Sequence, residues 1–278
     1  MSFLNIIWIL FLISAFSPLV ARRVLESRRI STLRKIENSR GSRVIALIHR
    51  QETLSLFGFP LMRYIDIQDS EHVIRAIKMT DDSIPIDIIL HTPGGLVLAS
   101  EQIAHAILGH PSKVTVFIPH YAMSGGTLLA LAADEICMDE NAVLGPVDPQ
   151  VGKYPAASII HASESKPVDK VDDETLILAD ISRKAMKQVN RYVTRILEGK
   201  MKKPEAHKLA RVLTSGQWTH DYPIAFDEAK EIGLPVSGGV PVEVFHYMTL
   251  FPQPSARRPS VQYIPIPYRE APHSGREK

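Results

Sequence analysis

The stretch IPIDIILHTPGGLVLASEQIAHAIL, residues 84–108, decides the fold. Its first part is a short run rich in Ile, ended by Pro93-Gly94-Gly95. Such a run bounded by turn residues reads as a strand buried on both faces. The residues after the glycines, 96–108, read as a helix, so the stretch is one strand–turn–helix unit. The same alternation continues on both sides. SRVIALIH (42–49) reads as a strand and SEHVIRAIKM (70–79) as a helix, with Val73, Ile74 and Ile77 at helical spacing and Ser70 as its cap. SKVTVFIPH (112–120) is the next strand and SGGTLLALAAD (124–134) a helix of small residues. EICM (135–138) and AVLG (142–145) are strand-like. The order β-α-β-α-β-α-β predicts an α/β domain with a mostly parallel sheet and right-handed crossovers.

Further on, Asp172 to Glu198 reads as a long helix whose apolar stripe is Leu178, Ile181, Ala185, Val189, Tyr192 and Ile196. Residues 204–213 and 226–233 read as two more helices, the second closed by Gly233. There is no internal repeat. The last 28 residues hold six of the 20 prolines and read as an extended tail, residues 251–278.

The 278 residues carry a formal charge of only +2, but its distribution is uneven. Residues 1–20 hold no charged side chain. Residues 21–50 hold nine Arg/Lys and two Glu, a net of +7; residues 51–250 hold 18 basic and 26 acidic side chains, a net of −8. An acidic body argues against nucleic-acid binding. The single cysteine, Cys137, excludes a disulfide framework and suits a reducing compartment. FLNIIWILFLISAFSPLV, residues 3–20, would span about 27 Å as a helix, close to the hydrocarbon thickness of a bilayer. No Lys or Arg precedes it, unlike a signal peptide. Arg22, Arg23, Arg28, Arg29, Arg34 and Lys35 follow it, and Lys/Arg favour the cytoplasmic side. The expected layout is a single-pass anchor at 1–21 in the cell membrane and a basic segment at 22–41 able to meet anionic lipid. A body at 42–250 on the cytoplasmic face follows.

Two glycine turns and one serine carry the chemistry. His91 to Gly95 lies at the carboxyl end of a strand, the edge where open α/β sheets bind ligands, and consecutive glycines let N–H groups face outward. In YAMSGGTLLALAAD, Ser124 precedes Gly125 and Gly126 at a helix start, beside free N–H groups and the positive end of the helix dipole. A hydroxyl there suits a nucleophile whose attack makes an oxyanion; it equally suits a plain N-cap. Ala122 stands where a nucleophile elbow has its first glycine, which argues against an α/β-hydrolase. No G-x-G-x-x-G follows a strand, so no nicotinamide cofactor is expected, and no His pair has zinc spacing. His91 and His120 read as structural histidines with satisfied nitrogens, and Trp218 and Tyr222 as packing residues.

HTPGGLVLASEQIA, AMSGGTLLALAADEICMDENAVLGPVDPQVG and WTHDYPIAFDEAKEIGLPV together resemble the membrane-anchored serine dehydrogenase proteinase family, in the Clp protease/crotonase superfamily, over essentially the whole chain. The resemblance implies a Clp protease/crotonase-like fold, a serine peptidase activity on peptide or protein substrates, no cofactor, and a homo-oligomer. It assigns Ser124 as nucleophile, Gly94 and Gly95 as one oxyanion turn and the Gly125 N–H as the second donor. A Ser-Asp-His order follows, with His220 as base and Asp148 orienting it. Relative to the Clp protease subunit, the acid and the base exchange places; geometry rather than order defines a triad. Asp221, next to His220, is the reserve orienter. Signal peptide peptidase A, a relative with a Ser-Lys dyad, suggests Lys166 or Lys170 as an alternative base. An acyl-CoA enzyme of the crotonase type and a non-catalytic membrane scaffold are the other two classes that the sequence admits.

Overall fold

The computed structural model describes residues 17, 19–50 and 63–251 with their side chains. It also gives the backbone of the helix that begins at Phe3 and of two short strands within 51–62. The chain opens with α1 (Phe3–Arg40), β1 (Arg43–Ile48), the hairpin β2 (Leu54–Leu56) and β3 (Phe59–Leu61), and α2 (Ile67–Lys78). It continues with β4 (Ile86–His91), α3 (Val97–Leu108), β5 (Val114–Ile118), β6 (Tyr121–Ala122) and α4 (Gly125–Ala132). Next come β7 (Glu135–Met138), β8 (Val143–Leu144), β9 (Gln150–Val151), β10 (Tyr154–Pro155), α5 (Ala156–Glu164) and α6 (Asp173–Glu198). The last elements are α7 (Lys203–Thr214), β11 (Ile224–Ala225), α8 (Phe226–Glu231), β12 (Val236–Ser237) and α9 (Val242–Thr249).

The main sheet has the order β1-β4-β5-β7-β12, and every pairing in it is parallel. Period-two alternation sorts its side chains to two faces. Ile86, Ile88 and Leu90 of β4, with Val114, Val116 and Ile118 of β5, enter the core shared with α2, α3, α4, α6 and α7. Ile89, Phe117 and Cys137 face the other way and pack against Ile36 of α1 and Val244, Tyr247 and Met248 of α9. Helices thus cover both faces, as a parallel sheet requires.

Asp87, the β4 residue between Ile86 and Ile88, is a charge on that second face with a side chain only 3% exposed. It accepts Arg40 Nε, Arg40 Nη2 at 3.2 Å, and the Ser42 hydroxyl at 2.6 Å. Arg40 also lies over the Phe117 ring, 4.7 Å from its centroid. The carboxylate therefore clamps the last residue of α1 to β4, the second strand of the sheet. Nearer the amino end of α1, Arg29 donates to the Leu250 carbonyl and covers the Phe251 ring.

Two sequence expectations shift. Helix α2 begins before Ser70: Asp66 is its N-cap, in a capping box with Asp69, while Ser70 is buried in the first turn. On α6 the buried residues are Ala179, Ser182, Val189, Val193, Ile196 and Leu197, whereas Ile181 is 44% exposed. Of the expected stripe, Val189 and Ile196 are buried and Tyr192 packs, partly buried, against the main core. Among the described residues no helix is long and apolar enough to cross a membrane. The expected anchor at 1–21 falls largely on residues 1–16, whose side chains lie outside the described residues, as does the proline-rich tail at 252–278.

The clamp yields a stability prediction. Arg40→Ala strands a carboxylate in the sheet with only Ser42 as partner and is expected to cost about 3 kcal/mol. Ser42→Ala is expected to cost about 1 kcal/mol. Denaturant midpoints of the two variants measure this; equal, negligible shifts would dismiss the clamp.

Candidate active site

Three distant chain segments meet through a second, small sheet of order β11-β8-β6. Tyr121 and Ala122 pair in parallel with Val143 and Leu144, which pair on their other side with Ala225 and Ile224. Ser124 follows β6, Asp148 follows β8, and His220 precedes β11. Pairing these strands therefore delivers the three side chains to one place. The Asp148 loop is further tied down by Val147 N–H, which donates to the Leu213 carbonyl at 2.8 Å. Trp218 and Tyr222 stack with ring centroids 5.1 Å apart and pack on the main core, bracing the His220 turn as expected.

Ser124 has φ 49° and ψ −113°, and is the one non-glycine residue with positive φ among those described. A side chain held there costs about 1–3 kcal/mol and persists only when its surroundings fix it. Although it occupies the N-cap position of α4, its hydroxyl makes no cap hydrogen bond. The N-cap reading of the sequence is thus not what the serine does. The opposing bend explains how the strain is held. Gly94 has φ 102°, and a Cβ built on it would lie 2.8 Å from both Met123 O and Ser124 Cβ. Met123 N–H donates to the Thr92 carbonyl at 3.0 Å, tying the two bends together.

Gly95 is packed still more closely: a Cβ there would stand 2.2 Å from Ile65 O. Ile65 N–H donates to Gly94 O at 2.7 Å, and Leu96 N–H donates to Ile65 O at 2.9 Å. In a trans peptide the carbonyl and the following N–H point in opposite directions. Gly94 O faces Ile65, so Gly95 N–H faces the other way, into the cavity that Gly95 lines. Gly125 opens α4, where an N–H has no helical acceptor. A Cβ on Gly125 would fall 3.5 Å from Gly95 N, so the two donors are neighbours.

The cavity holds about 320 Å³, and Gly95, Ser124, Gly125, Asp148 and His220 all line it. His220 Nδ1 lies 2.8 Å from Asp148 Oδ1. Asp148 has a side chain 2% exposed and His220 one 35% exposed, so the imidazole bridges a buried carboxylate and solvent. Gln150 Nε2 donates to Asp148 Oδ2 at 2.8 Å and occupies the other carboxylate oxygen. Ser124 Oγ makes no hydrogen bond to the imidazole in this structure; such bonds commonly tighten only when substrate is bound. Lys166, Lys170 and Asp221 are exposed and do not line the cavity. Among the described residues no group of three His, Cys, Asp or Glu is gathered as a metal site needs.

Sequence reasoning missed three participants. Gln150 stands two residues after Asp148, a spacing that carries no signal. Ser100 is fully buried, lines the cavity and has an unpartnered hydroxyl; a Cβ on Gly125 would meet its Oγ at 2.3 Å. Glu101 lines the cavity, and burial pushes its carboxyl above the usual range. An outer groove of about 560 Å³ continues from the cavity, sharing Val97, Glu101, Pro149, Gln150, Val189 and Tyr192 with it. His91 corrects an expectation. It is 1% exposed and outside the cavity lining, yet both its ring nitrogens lack partners. Burial first, then the nearby Arg50, His120 and His49, push its pKa down to about 3.

The whole chain is similar to known proteins. Residues 1–277 match the family of ClpP-like SDH-type serine proteinases. Two uncharacterized proteins of Methanocaldococcus jannaschii, MJ0137 and MJ1495, are each 52% identical to it. The first match covers 95% of this chain and 92% of the relative; the second covers 96% and 92%. Among solved structures, a serine-to-alanine mutant of the 1510-N membrane-bound stomatin-specific protease is 18% identical. Its TM-score is 0.45, over 66% of this chain and 78% of that one. A lysine-to-alanine mutant of the same protease with a substrate peptide is 19% identical, also with a TM-score of 0.45, over 66% and 74%.

His91 generates a pH prediction. Between pH 6.5 and about 3 the unfolded chain protonates this histidine and the folded chain does not. Its contribution is therefore complete above pH 6.5 and is lost as the pH falls toward 3. His91→Leu is expected to be as stable as the parent or more so at pH 7, because an unpartnered buried polar group disappears. Its acid limb should be shallower. Urea midpoints from pH 7 to 4 decide this, and an unchanged slope excludes the assignment.

Proposed function

The chain belongs to the ClpP-like SDH-type serine proteinases and is a serine peptidase, and on that premise we propose how its residues cut a peptide bond. Ser124 Oγ attacks the scissile carbonyl carbon. His220 takes the hydroxyl proton on Nε2 and later passes it to the leaving amine. Asp148 holds Nδ1–H, fixing the tautomer and stabilising the imidazolium. Gly95 and Gly125 N–H groups receive the oxyanion. An acyl-enzyme on Ser124 forms, and water, activated by the same imidazole, releases it. The observation that carries this reading is the 2.8 Å contact between His220 Nδ1 and buried Asp148, in the cavity that also exposes strained Ser124. It favours a Ser-His-Asp triad in a Clp/crotonase-like body over a Ser-Lys dyad, since among the described residues no lysine lines that cavity.

We further propose that residues 1–21 anchor the chain in the cell membrane, with the body on the cytoplasmic side as a homo-oligomer. The support is the charge-free stretch 1–20 ahead of a +7 segment. In addition, α1 runs without interruption from Phe3 to the Arg40 clamp. Exposed Ile177 and Ile181 on α6 are the proposed contact between copies.

A fluorophosphonate probe is expected to label the parent and not Ser124→Ala. His220→Ala and Asp148→Asn are expected to hydrolyse labelled casein about 10⁴-fold more slowly than the parent, while Lys166→Ala and Lys170→Ala keep full rates. Labelling that survives in Ser124→Ala, or rates lost in Lys166→Ala and kept in His220→Ala, would overturn the triad. The membrane assignment predicts retention in the membrane after alkaline washing and protection of the body from protease added to intact cells. Native mass in detergent should exceed one chain. A body released by the wash or digested from outside would contradict the anchor, and a monomeric mass would contradict the homo-oligomer.

A further inference from the structure

Behind the Gly94–Gly95 bend lies a second histidine–aspartate pair that the triad does not use. Gly94 N–H donates to Thr92 Oγ1 at 3.2 Å, and Thr92 Oγ1 lies 2.9 Å from His49 Nδ1. His49 Nε2 lies 3.2 Å from Asp69 Oδ2, which also accepts the Asp66 N–H at 3.0 Å. Thr92 is fully buried and His49 is 6% exposed. Burial opposes the charge on Asp69, but the His49 and Asp66 hydrogen bonds outweigh it and hold the carboxyl below its ordinary range.

These contacts give the chain a direction. A carboxylate only accepts, so Nε2 of a neutral His49 carries the proton and Nδ1 is left as an acceptor. The Thr92 hydroxyl then donates to Nδ1, and its lone pair is free for Gly94 N–H. The hydroxyl has one alternative acceptor, Gly94 O, at 3.4 Å. That carbonyl is the group already engaged by Ile65 N–H, and it sets the plane that aims Gly95 N–H into the cavity. A hydroxyl turned onto Gly94 O would compete with Ile65 and loosen this plane.

We propose that His49 and Asp69 are positioning residues for the oxyanion turn: by drawing the Thr92 hydroxyl away from Gly94 O, they keep the Gly95 N–H aimed at the developing oxyanion. The inference rests on the Ser124 peptidase reading and adds a role on the buried side of the turn. His49 touches no substrate; it acts through Thr92. Because the donor matters most when negative charge develops on the substrate oxygen, its loss affects turnover rather than substrate binding.

The test uses full-length protein in detergent, with active sites counted by fluorophosphonate and turnover of fluorescein-labelled casein expressed per counted site. His49→Ala is expected to lower kcat about 10–100-fold with KM nearly unchanged. His49→Asn, whose side-chain oxygen can accept the Thr92 hydroxyl, is expected to recover most of the loss. The losses of His49→Ala and Thr92→Val should not multiply in the double variant, because both break one chain. Should His49→Ala not fold, Asp69→Ala decides, with an expected loss of about tenfold in kcat. Unchanged turnover per counted site in whichever variant folds, or multiplying losses, would overturn the proposal. A parent that the probe does not label at Ser124 sinks the peptidase reading instead, so the two failures are distinguishable.

Discussion

The contact between two glycine bends is the constraint on which this structure turns. Gly94 lies against Ser124, Gly95 against Ile65, and Gly125 against Ser100, each at a separation that leaves no room for a Cβ. Only a residue without a side chain can approach its neighbours this closely. The approach does two things together. It holds Ser124 in a conformation that an L-residue rarely adopts, and it turns the amides at Gly95 and Gly125 toward one small volume. The rigid parallel sheet beneath supplies the stiffness: β4 ends at the first bend, and β6, which follows its neighbour β5, leads into the second.

Charge is distributed to the same effect. Among the described residues two carboxylates are almost wholly buried, and each has its acceptor oxygens occupied. Asp87 faces Arg40 and Ser42 on one side of the sheet. Asp148 faces His220 and Gln150 at the carboxyl edge. An uncompensated charge at either place would cost several kcal/mol, so both are confined to one geometry. The first joins the basic helix α1 to the body. The second fixes an imidazole beside the serine. His91 is the counter-example: a buried ring kept neutral because nothing nearby compensates a proton.

Much of this was readable from residues alone. The strands at 43–48, 86–91 and 114–118 and the turn at 93–95 follow from short apolar runs broken by Pro and Gly. Ser124, with two glycines after it, is conspicuous for the same reason. At the start of α2, Asp66 and Ser70 are both good caps, and only the loop geometry chooses between them. On α6, Ile181 fits an amphipathic pattern, while the structure leaves it exposed and buries Ser182 and Val193. Pattern reports an apolar face; it does not report which neighbour arrives to cover it.

Sequence by itself determined the alternating α/β order, the two glycine bends, the serine between them, and the charge-free amino terminus ahead of a basic stretch. These are local properties, set by side-chain polarity and by the backbone freedom of glycine within a few residues. Tertiary structure alone decided which carboxylate meets which base. Asp148 and His220 are 72 residues apart, and no spacing links them; they meet because β6, β8 and β11 form one sheet. The same holds for Gln150 on Asp148, for Ser100 beneath Gly125, and for His49 and Asp69 behind the bend. A hydrogen bond between residues distant in the chain depends on how the elements pack, and packing is decided by the whole core at once.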